Sequence, residues 1–103
     1  MQEELMNKNT DLKELFVQQK YEEMIEFLDA LTNDEKLELV HFNMDVINKY
    51  YDSGKYDLIR QYLTFVAFCS FIFEYCAKSG LLEETKVEEW NTLFANIFEI
   101  VKR

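Results

Sequence analysis

The chain of 103 residues is long enough for one domain with a single hydrophobic core, and its 49% of apolar residues exclude an intrinsically disordered protein. It contains no proline and only two glycines, which disfavours a many-stranded sheet with its frequent turns. The net charge of −9 opposes direct binding to nucleic acid and to anionic membrane surfaces.

The first predicted helix begins at Thr10, which can serve as its N-cap, and ends at Leu31. Apolar residues recur along this segment at helical spacing. We therefore expect residues 1–9 to form a flexible N-terminal segment and residues 10–103 to form a single helical domain.

A capping box and a glycine delimit the second predicted helix. Thr32 to Glu35 read "TNDE", in which the threonine hydroxyl accepts from the Glu35 amide and the glutamate accepts from the threonine backbone. This motif predicts the end of the first helix and the start of the second. "DSG" predicts the end of the second, because Gly54 can adopt the left-handed conformation common just past a helix end.

The third predicted helix, from Lys55 to Lys78, contains the most apolar stretch of the chain. Only 13 uncharged residues lie between Arg60 and Glu74, fewer than the roughly 20 that a membrane-spanning helix needs. The pattern therefore indicates a central core helix. With a fourth helix starting near Leu82, we expect an all-α fold, an antiparallel bundle of four or five helices.

Apolar residues interrupt the one polar stripe of the third helix. Phe71 lies in the middle of that stripe, flanked by Ala67, Phe68 and Tyr75, and we call these four residues the Phe71 patch. Either another segment of the same chain covers the patch, or a second chain does. If a second chain covers it, the patch binds a partner protein. That partner can be a second copy of this chain, which gives a homodimer. A Phe71→Glu variant is then expected to stay folded and to lose assembly.

Glutamates cluster at two places on predicted helix faces, which supports a second hypothesis. The protein would be an acidic inhibitor of the kind that phages and mobile elements encode, occupying a basic, nucleic-acid-binding surface of its target. Such faces also serve solubility alone. A bacteriocin-immunity-like helical protein is a third hypothesis that the size and charge permit. The residues of the acidic clusters are Glu22, Glu23, Glu26, Glu83, Glu84, Glu88 and Glu89.

No catalytic or cofactor motif is visible in the sequence. His41 is the only histidine, and with Glu38 it forms one Glu-x-x-His pair, whereas a di-iron bundle needs two such motifs and two further carboxylates. Neither Ser53 nor Ser70 has the neighbouring base that a nucleophile needs. We therefore expect no enzymatic activity, no catalytic residue, no metal and no cofactor.

The two cysteines predict a reducing environment. Cys69 and Cys76 lie seven residues apart on one predicted helix, about 10.5 Å, whereas a disulfide needs Cα atoms within roughly 7 Å. We interpret both as small buried apolar residues of a cytoplasmic protein. Met1–Thr10 is acidic and polar, so we expect no secretory signal peptide.

Two segments of the chain resemble each other at an offset of 35 residues. "KYEEMIEFL", residues 20–28, and "KYDLIRQYL", residues 55–63, share their lysine, tyrosine and final leucine and have aromatic residues at the eighth position. Periods near 34 residues are typical of paired-helix repeats. Gln19 stands where Gly54 stands in the second copy, so one unbroken helix from Thr10 to Leu31 is also compatible with the pattern.

The segment Asn48–Leu63, "NKYYDSGKYDLIRQYL", resembles the turn of tetratricopeptide-type repeat proteins. An aromatic pair ends one helix, a glycine follows, and an aromatic residue opens the next. The resemblance implies stacked antiparallel helix pairs with a concave groove that binds peptides or partner helices. A four-helix bundle without true repeats explains the periodicity nearly as well. The packing positions that the resemblance implies are Tyr51, Gly54, Tyr56, Ile59 and Leu63.

Overall fold

In a computed structural model of the chain, residues 3–102 are described, and they form six α-helices and no strand. The prediction of an all-α protein is confirmed. No helix in this range is both long enough and apolar enough to cross a membrane. The helices are α1 (Glu3–Val17), α2 (Tyr21–Asp29), α3 (Asn33–Asp52), α4 (Tyr56–Gln61), α5 (Leu63–Lys78) and α6 (Glu84–Lys102).

Helix α1 begins at Glu3, seven residues before the predicted start at Thr10. Leu5 and Asn9 are buried against the other helices, so this part of the predicted N-terminal segment belongs to the packed structure. Leu5 and Asn9 lie one helical turn apart, so they share one face of α1, and this face contacts the core. The rest of the segment, residues 1 and 2, lies outside the described residues, as does residue 103.

The first predicted helix is interrupted, so the prediction of one helix from Thr10 to Leu31 is wrong. Gln19 adopts a left-handed conformation with a φ of 61°. The Lys20 amide donates to the Leu15 carbonyl at 2.9 Å, and the Gln19 amide donates to the Phe16 carbonyl at 3.0 Å. These two bonds are those of a Schellman helix end, which normally uses glycine.

The same turn recurs 35 residues later, where Gly54 has a φ of 69°. The Lys55 amide donates to the Tyr50 carbonyl at 3.0 Å, and the Gly54 amide donates to the Tyr51 carbonyl at 3.1 Å. Gly54 therefore ends α3 as predicted. The same pair of bonds also ends α5, where Gly80 donates to Ala77 and Leu81 donates to Cys76, both at 3.1 Å, so it is a general form of helix end in this chain.

The third predicted helix is also interrupted, which corrects the prediction of one helix from Lys55 to Lys78. Tyr62 leaves the helical conformation, with φ −110° and ψ 42°, and separates α4 from α5. Both parts pack on α3, and in addition the backbone of α4 lies close to α6 and that of α5 close to α1. On α4, Arg60 donates to the Ile100 carbonyl of α6 at 3.2 Å, and Ile59 is buried. Leu63, an implied packing position, is 44% exposed.

Helix α5 lies at the centre of the core, as predicted. Its Phe68 contacts Phe16 of α1, with ring centroids 5.8 Å apart. On another side, Phe73 contacts Trp90 of α6 at 5.9 Å between centroids. The Cys69 thiol donates to the Asn43 carbonyl of α3 at 3.8 Å. Three other helices, α1, α3 and α6, thus cover this one apolar helix.

The predicted capping box is present at the start of α3, and a lysine of α1 donates a hydrogen bond to it. The Thr32 hydroxyl accepts from the Glu35 amide, and a Glu35 carboxylate oxygen accepts from the Thr32 amide, both at 3.1 Å. The other oxygen accepts from Lys8 of α1 at 2.9 Å. Hydrogen bonds from Lys8 and from Thr32 lower the pKa of the Glu35 carboxyl below its usual value.

A pair of buried asparagines joins α1 to α3. Asn43 donates to Asn9 at 2.9 Å, and Asn9 donates back to Asn43 at 3.3 Å. The second amide hydrogen of Asn43 bonds the Leu39 carbonyl at 2.9 Å. Since buried amides are costly unless they are hydrogen-bonded, this pair favours one relative position of the two helices.

Candidate partner-binding surface

The Phe71 patch is partly covered by the chain itself. Phe71 is half-buried, with the Phe16 ring in edge contact at 6.0 Å and the Tyr21 ring stacked on it at 5.9 Å. Phe68 is only 1% exposed and lies in the core. The α1–α2 turn, which the interruption at Gln19 creates, supplies this covering.

The other two residues of the patch differ in accessibility. Ala67 is exposed. Tyr75 is half-buried, and its hydroxyl donates to Asp29 of α2 at 2.6 Å. Burial and this hydrogen bond raise the pKa of the tyrosine above its usual value. A groove of about 250 Å³ remains between α2 and α5, lined in part by Ile25, Phe71 and Tyr75. Partner binding by the patch stays a prediction.

The two predicted acidic clusters lie on different elements. Glu22, Glu23 and Glu26 are exposed on α2, and no basic group in the described part of the chain lies within 4.0 Å of them. The second cluster precedes and begins α6. Its residues Glu83, Glu84, Glu88 and Glu89 are all exposed, and the last is 3.4 Å from Lys86.

A larger groove, which was not predicted from the sequence, lies between α1, α3 and α5. Two cavities, of about 310 and 370 Å³, share Lys13, Tyr62 and Phe65 as walls. A third, of about 360 Å³, continues along α1 past Lys13 and Val17. We call the space formed by these three cavities the aromatic groove. Its apolar lining residues are Phe16, Val17, Phe42, Val46, Tyr50, Tyr62, Phe65 and Phe68.

Helix periodicity and one helix break assemble this groove. Phe42, Val46 and Tyr50 recur every four residues, so they share one face of α3, where all three are half-buried. The interruption of the helix at Tyr62 leaves that side chain 52% exposed beside Phe65. The α3 stripe could be recognised from spacing alone. The break could not, because nothing in the local sequence stops a helix there.

Lys13 is the cation of the aromatic groove. Its ammonium lies 4.8 Å from the ring centroid of Phe65 and 6.0 Å from that of Phe68, which places it over aromatic faces. No carboxylate of residues 3–102 lies within 4.0 Å of it. Glu14 is the one acidic residue found among the described groove walls. The groove is therefore much less negative than a chain of net charge −9 suggests.

The residues considered for chemistry lie apart from the groove. The His41 ring contacts the Trp90 ring with centroids 5.1 Å apart, and Glu38 is exposed. Between residues 3 and 102, no three His, Cys, Asp or Glu side chains form a cluster suited to a metal ion. Burial raises the pKa of the Cys76 thiol to about 11 and that of Cys69 further, which lowers their reactivity at neutral pH.

Comparison of the chain with protein-family models, with curated proteins and with solved structures finds no match. Two features distinguish the surface of residues 3–102: the aromatic groove with its single lysine, and the glutamates of α2, which have no basic group of this range within 4.0 Å.

Proposed function

We propose that this chain is a small non-enzymatic protein that acts by binding an apolar segment of a partner protein in the aromatic groove. The observation that carries the proposal is the convergence of half-exposed aromatic side chains from three helices around one lysine. Binding sites are typically concave and mostly apolar, with a few polar groups that orient the ligand. The buried free cysteines suit a protein of the cytoplasm.

The aromatic groove has enough apolar surface to anchor a partner. Burying one large apolar side chain contributes about 1.5–3 kcal/mol, and a few such anchors dominate most interfaces. Tyr62 is the most accessible ring of the groove and lies in both main cavities. We therefore expect its ring to be one of the anchors.

The proposal includes a tetratricopeptide-type arrangement of the first four helices. Its support is the spacing of the turns at Gln19 and Gly54, which lie 35 residues apart, each directly before one of the two segments that resemble each other in sequence. The family resemblance implies a concave groove that binds peptides or partner helices. In this chain the aromatic groove, with walls from α1 and α3, would take that role.

The test compares two exposed aromatic side chains. Tyr62 is 52% exposed in the groove, and Phe98 is 50% exposed on α6 outside it. Immobilised wild-type protein, Tyr62→Ala and Phe98→Ala are incubated with a lysate of the cells that make the protein. Captured proteins are identified by mass spectrometry, and binding is then measured with the purified partner.

We expect Tyr62→Ala to weaken the partner's affinity by about tenfold or more, which is the loss of one anchor of roughly 1.5 kcal/mol. Phe98→Ala should bind as the wild type does. Equal binding by the wild type and Tyr62→Ala would exclude the aromatic groove as the binding site.

A second candidate function is inhibition of a basic target through α2. The observation that favours it is the exposure of Glu22, Glu23 and Glu26 without a basic partner. Charge-driven association weakens steeply as salt is added. If this candidate is correct, replacing the three glutamates by glutamine abolishes capture of the partner and Tyr62→Ala does not. Binding that persists at about 1 M salt would contradict it.

A further inference from the structure

We propose that the occupant of the aromatic groove is an amphipathic helix with an acidic side chain among its apolar ones, and that Lys13 binds that carboxylate. This inference rests on the proposed function and specifies its partner. It begins with the position of the Lys13 ammonium, which lies against the faces of Phe65 and Phe68 rather than against a carboxylate.

The shape of the groove favours a helix. Phe42, Val46 and Tyr50 form an α3 wall of about 12 Å, and Lys13, Tyr62 and Phe65 line the same cavity on its other sides. A wall of this length matches two turns of a bound helix, whose apolar anchors recur every three or four residues.

Charge complementarity favours an acidic group in that helix. Lys13 is the only basic residue among the described groove walls and lines all three cavities, whereas Glu14, the one acidic residue, lines only the cavity along α1. A docked helix excludes water from the groove, which strengthens a pair between the ammonium and a carboxylate. A lysine or arginine at the same place would meet a like charge in a partly apolar environment, and this selects against basic segments.

The position of Lys13 also determines where the carboxylate belongs. Lys13 lines both main cavities, one of which extends from it to Tyr50 of α3 and the other to Val17 of α1. The acidic residue of the occupant should therefore lie within one helical turn of an apolar anchor, inside the bound segment. A terminal carboxylate of a peptide does not meet this condition.

The test is a selection of peptides from a random library of about 16 residues, long enough for four helical turns. The library is displayed at the N-terminus of the phage coat protein pIII, so the peptides have no free carboxyl terminus. Three targets are used, wild type, Lys13→Glu, and the control Lys55→Glu, which makes the same charge change at an exposed residue outside the groove.

We expect the wild type and Lys55→Glu to select peptides with apolar residues three or four apart and one aspartate or glutamate between or beside them. Lys13→Glu should select lysine or arginine at that position. In fluorescence anisotropy titrations, the wild-type consensus peptide should lose about tenfold in affinity for Lys13→Glu, and the charge-swapped peptide should regain it. Circular dichroism checks the fold, and Lys13→Gln provides the same comparison without charge reversal.

The other outcomes overturn the inference in distinguishable ways. If the selected peptides need Tyr62 for binding but contain no acidic residue, the role of Lys13 is contradicted and the proposed function is not. The same holds if they contain an acidic residue at the same position whether the target is the wild type, Lys13→Glu or Lys13→Gln. A selection whose peptides bind Tyr62→Ala as they bind the wild type contradicts both.

Discussion

Gln19 adopts the backbone conformation that glycine adopts in the equivalent turn. Its φ of 61° is in the left-handed region, where a side chain beyond glycine costs about 1–2 kcal/mol. Glycine avoids this cost but loses more conformational entropy on folding, about 0.5–1 kcal/mol. We therefore expect Gln19→Gly to raise the free energy of unfolding by about 0.5–1 kcal/mol in urea denaturation.

Two matched variants control this prediction. Gln18→Gly adds a glycine at the neighbouring position, which has no positive φ, and should destabilise the protein. Gly54→Gln places a side chain in the other left-handed turn, which has open space but a φ of 69°, and should also destabilise it. If Gln19→Gly lowers the stability as much as Gln18→Gly does, the left-handed conformation of Gln19 is contradicted.

The asparagine pair between α1 and α3 is a second residue-scale feature with a measurable consequence. Asn9 and Asn43 are 3% and 1% exposed, so replacing one of them by leucine leaves the other amide buried without its partner. We expect each single substitution to cost about 1–3 kcal/mol. The double Leu variant removes both amides and should cost less than the sum of the two single variants. Additive effects in a double-mutant cycle would contradict the coupling.

At the scale of helices, the link between the α3 capping box and α1 makes stability depend on pH. The Glu35 carboxyl has a lowered pKa in the folded protein because Lys8 and Thr32 donate hydrogen bonds to it. A carboxyl with a lowered folded pKa stabilises the protein above its unfolded pKa of about 4.5, and this stabilisation is lost as the pH falls through the folded value.

We therefore expect Glu35→Gln to be less stable than the wild type near neutral pH and to approach it in acid. Chemical denaturation from about pH 7 down to about pH 3 covers the unfolded pKa and the range below it. Glu38→Gln, an exposed residue of the same helix without an ion pair, should leave the profile unchanged. Parallel profiles for the wild type and Glu35→Gln would contradict a folded-state shift of Glu35.

The docking of the α1–α2 turn on α5 changes the expectation for Phe71. Phe16 and Tyr21 both contact its ring, so a glutamate there loses two aromatic contacts and places a charge beneath the turn. We expect Phe71→Glu to lower the free energy of unfolding by about 2–4 kcal/mol. Ala67→Glu, one turn earlier at an exposed residue, should have little effect. Similar denaturation midpoints for the two variants would show that the turn does not rest on Phe71.

Elements with local signals could be predicted from the sequence, and elements chosen by tertiary contacts could not. The capping box at Thr32 and the helix end at Gly54 depend on residues within a few positions, and both are present. The break at Gln19 uses a residue that normally stays helical, and the break at Tyr62 has no side-chain cap. The residues that flank these breaks make the long-range contacts: Phe16 and Tyr21, on either side of Gln19, both contact Phe71, and the helices on either side of Tyr62 contact α6 and α1.

The candidate surface illustrates the same limit. Spacing on one helix identifies an aromatic stripe, such as Phe42, Val46 and Tyr50, or an interrupted polar stripe around Phe71. It does not say which helix lies opposite. The structure places the α1–α2 turn over Phe71, whereas the α3 stripe faces a groove that Tyr62 enters from the break between α4 and α5.

At the scale of the whole molecule, the chain closes its own core. Each of the six helices contributes at least one buried residue to a single apolar cluster. The described residues have a radius of gyration of 13.4 Å, close to the roughly 13 Å expected for a folded domain of about 100 residues. A second chain is therefore not needed to cover the core, and the remaining exposed rings are available for a different partner.

From this we expect the isolated protein to be a monomer of 12.4 kDa. Size-exclusion chromatography with light scattering, from about 10 μM to about 500 μM, spans the range in which a weak dimer forms. The mass should stay constant, and Tyr62→Ala should give the same value, because its ring is free in the monomer. A dimer that Tyr62→Ala dissociates would place a second copy in the aromatic groove. A dimer that Ala67→Glu dissociates would instead place it on the Phe71 patch, whose covering by the α1–α2 turn leaves Ala67 accessible.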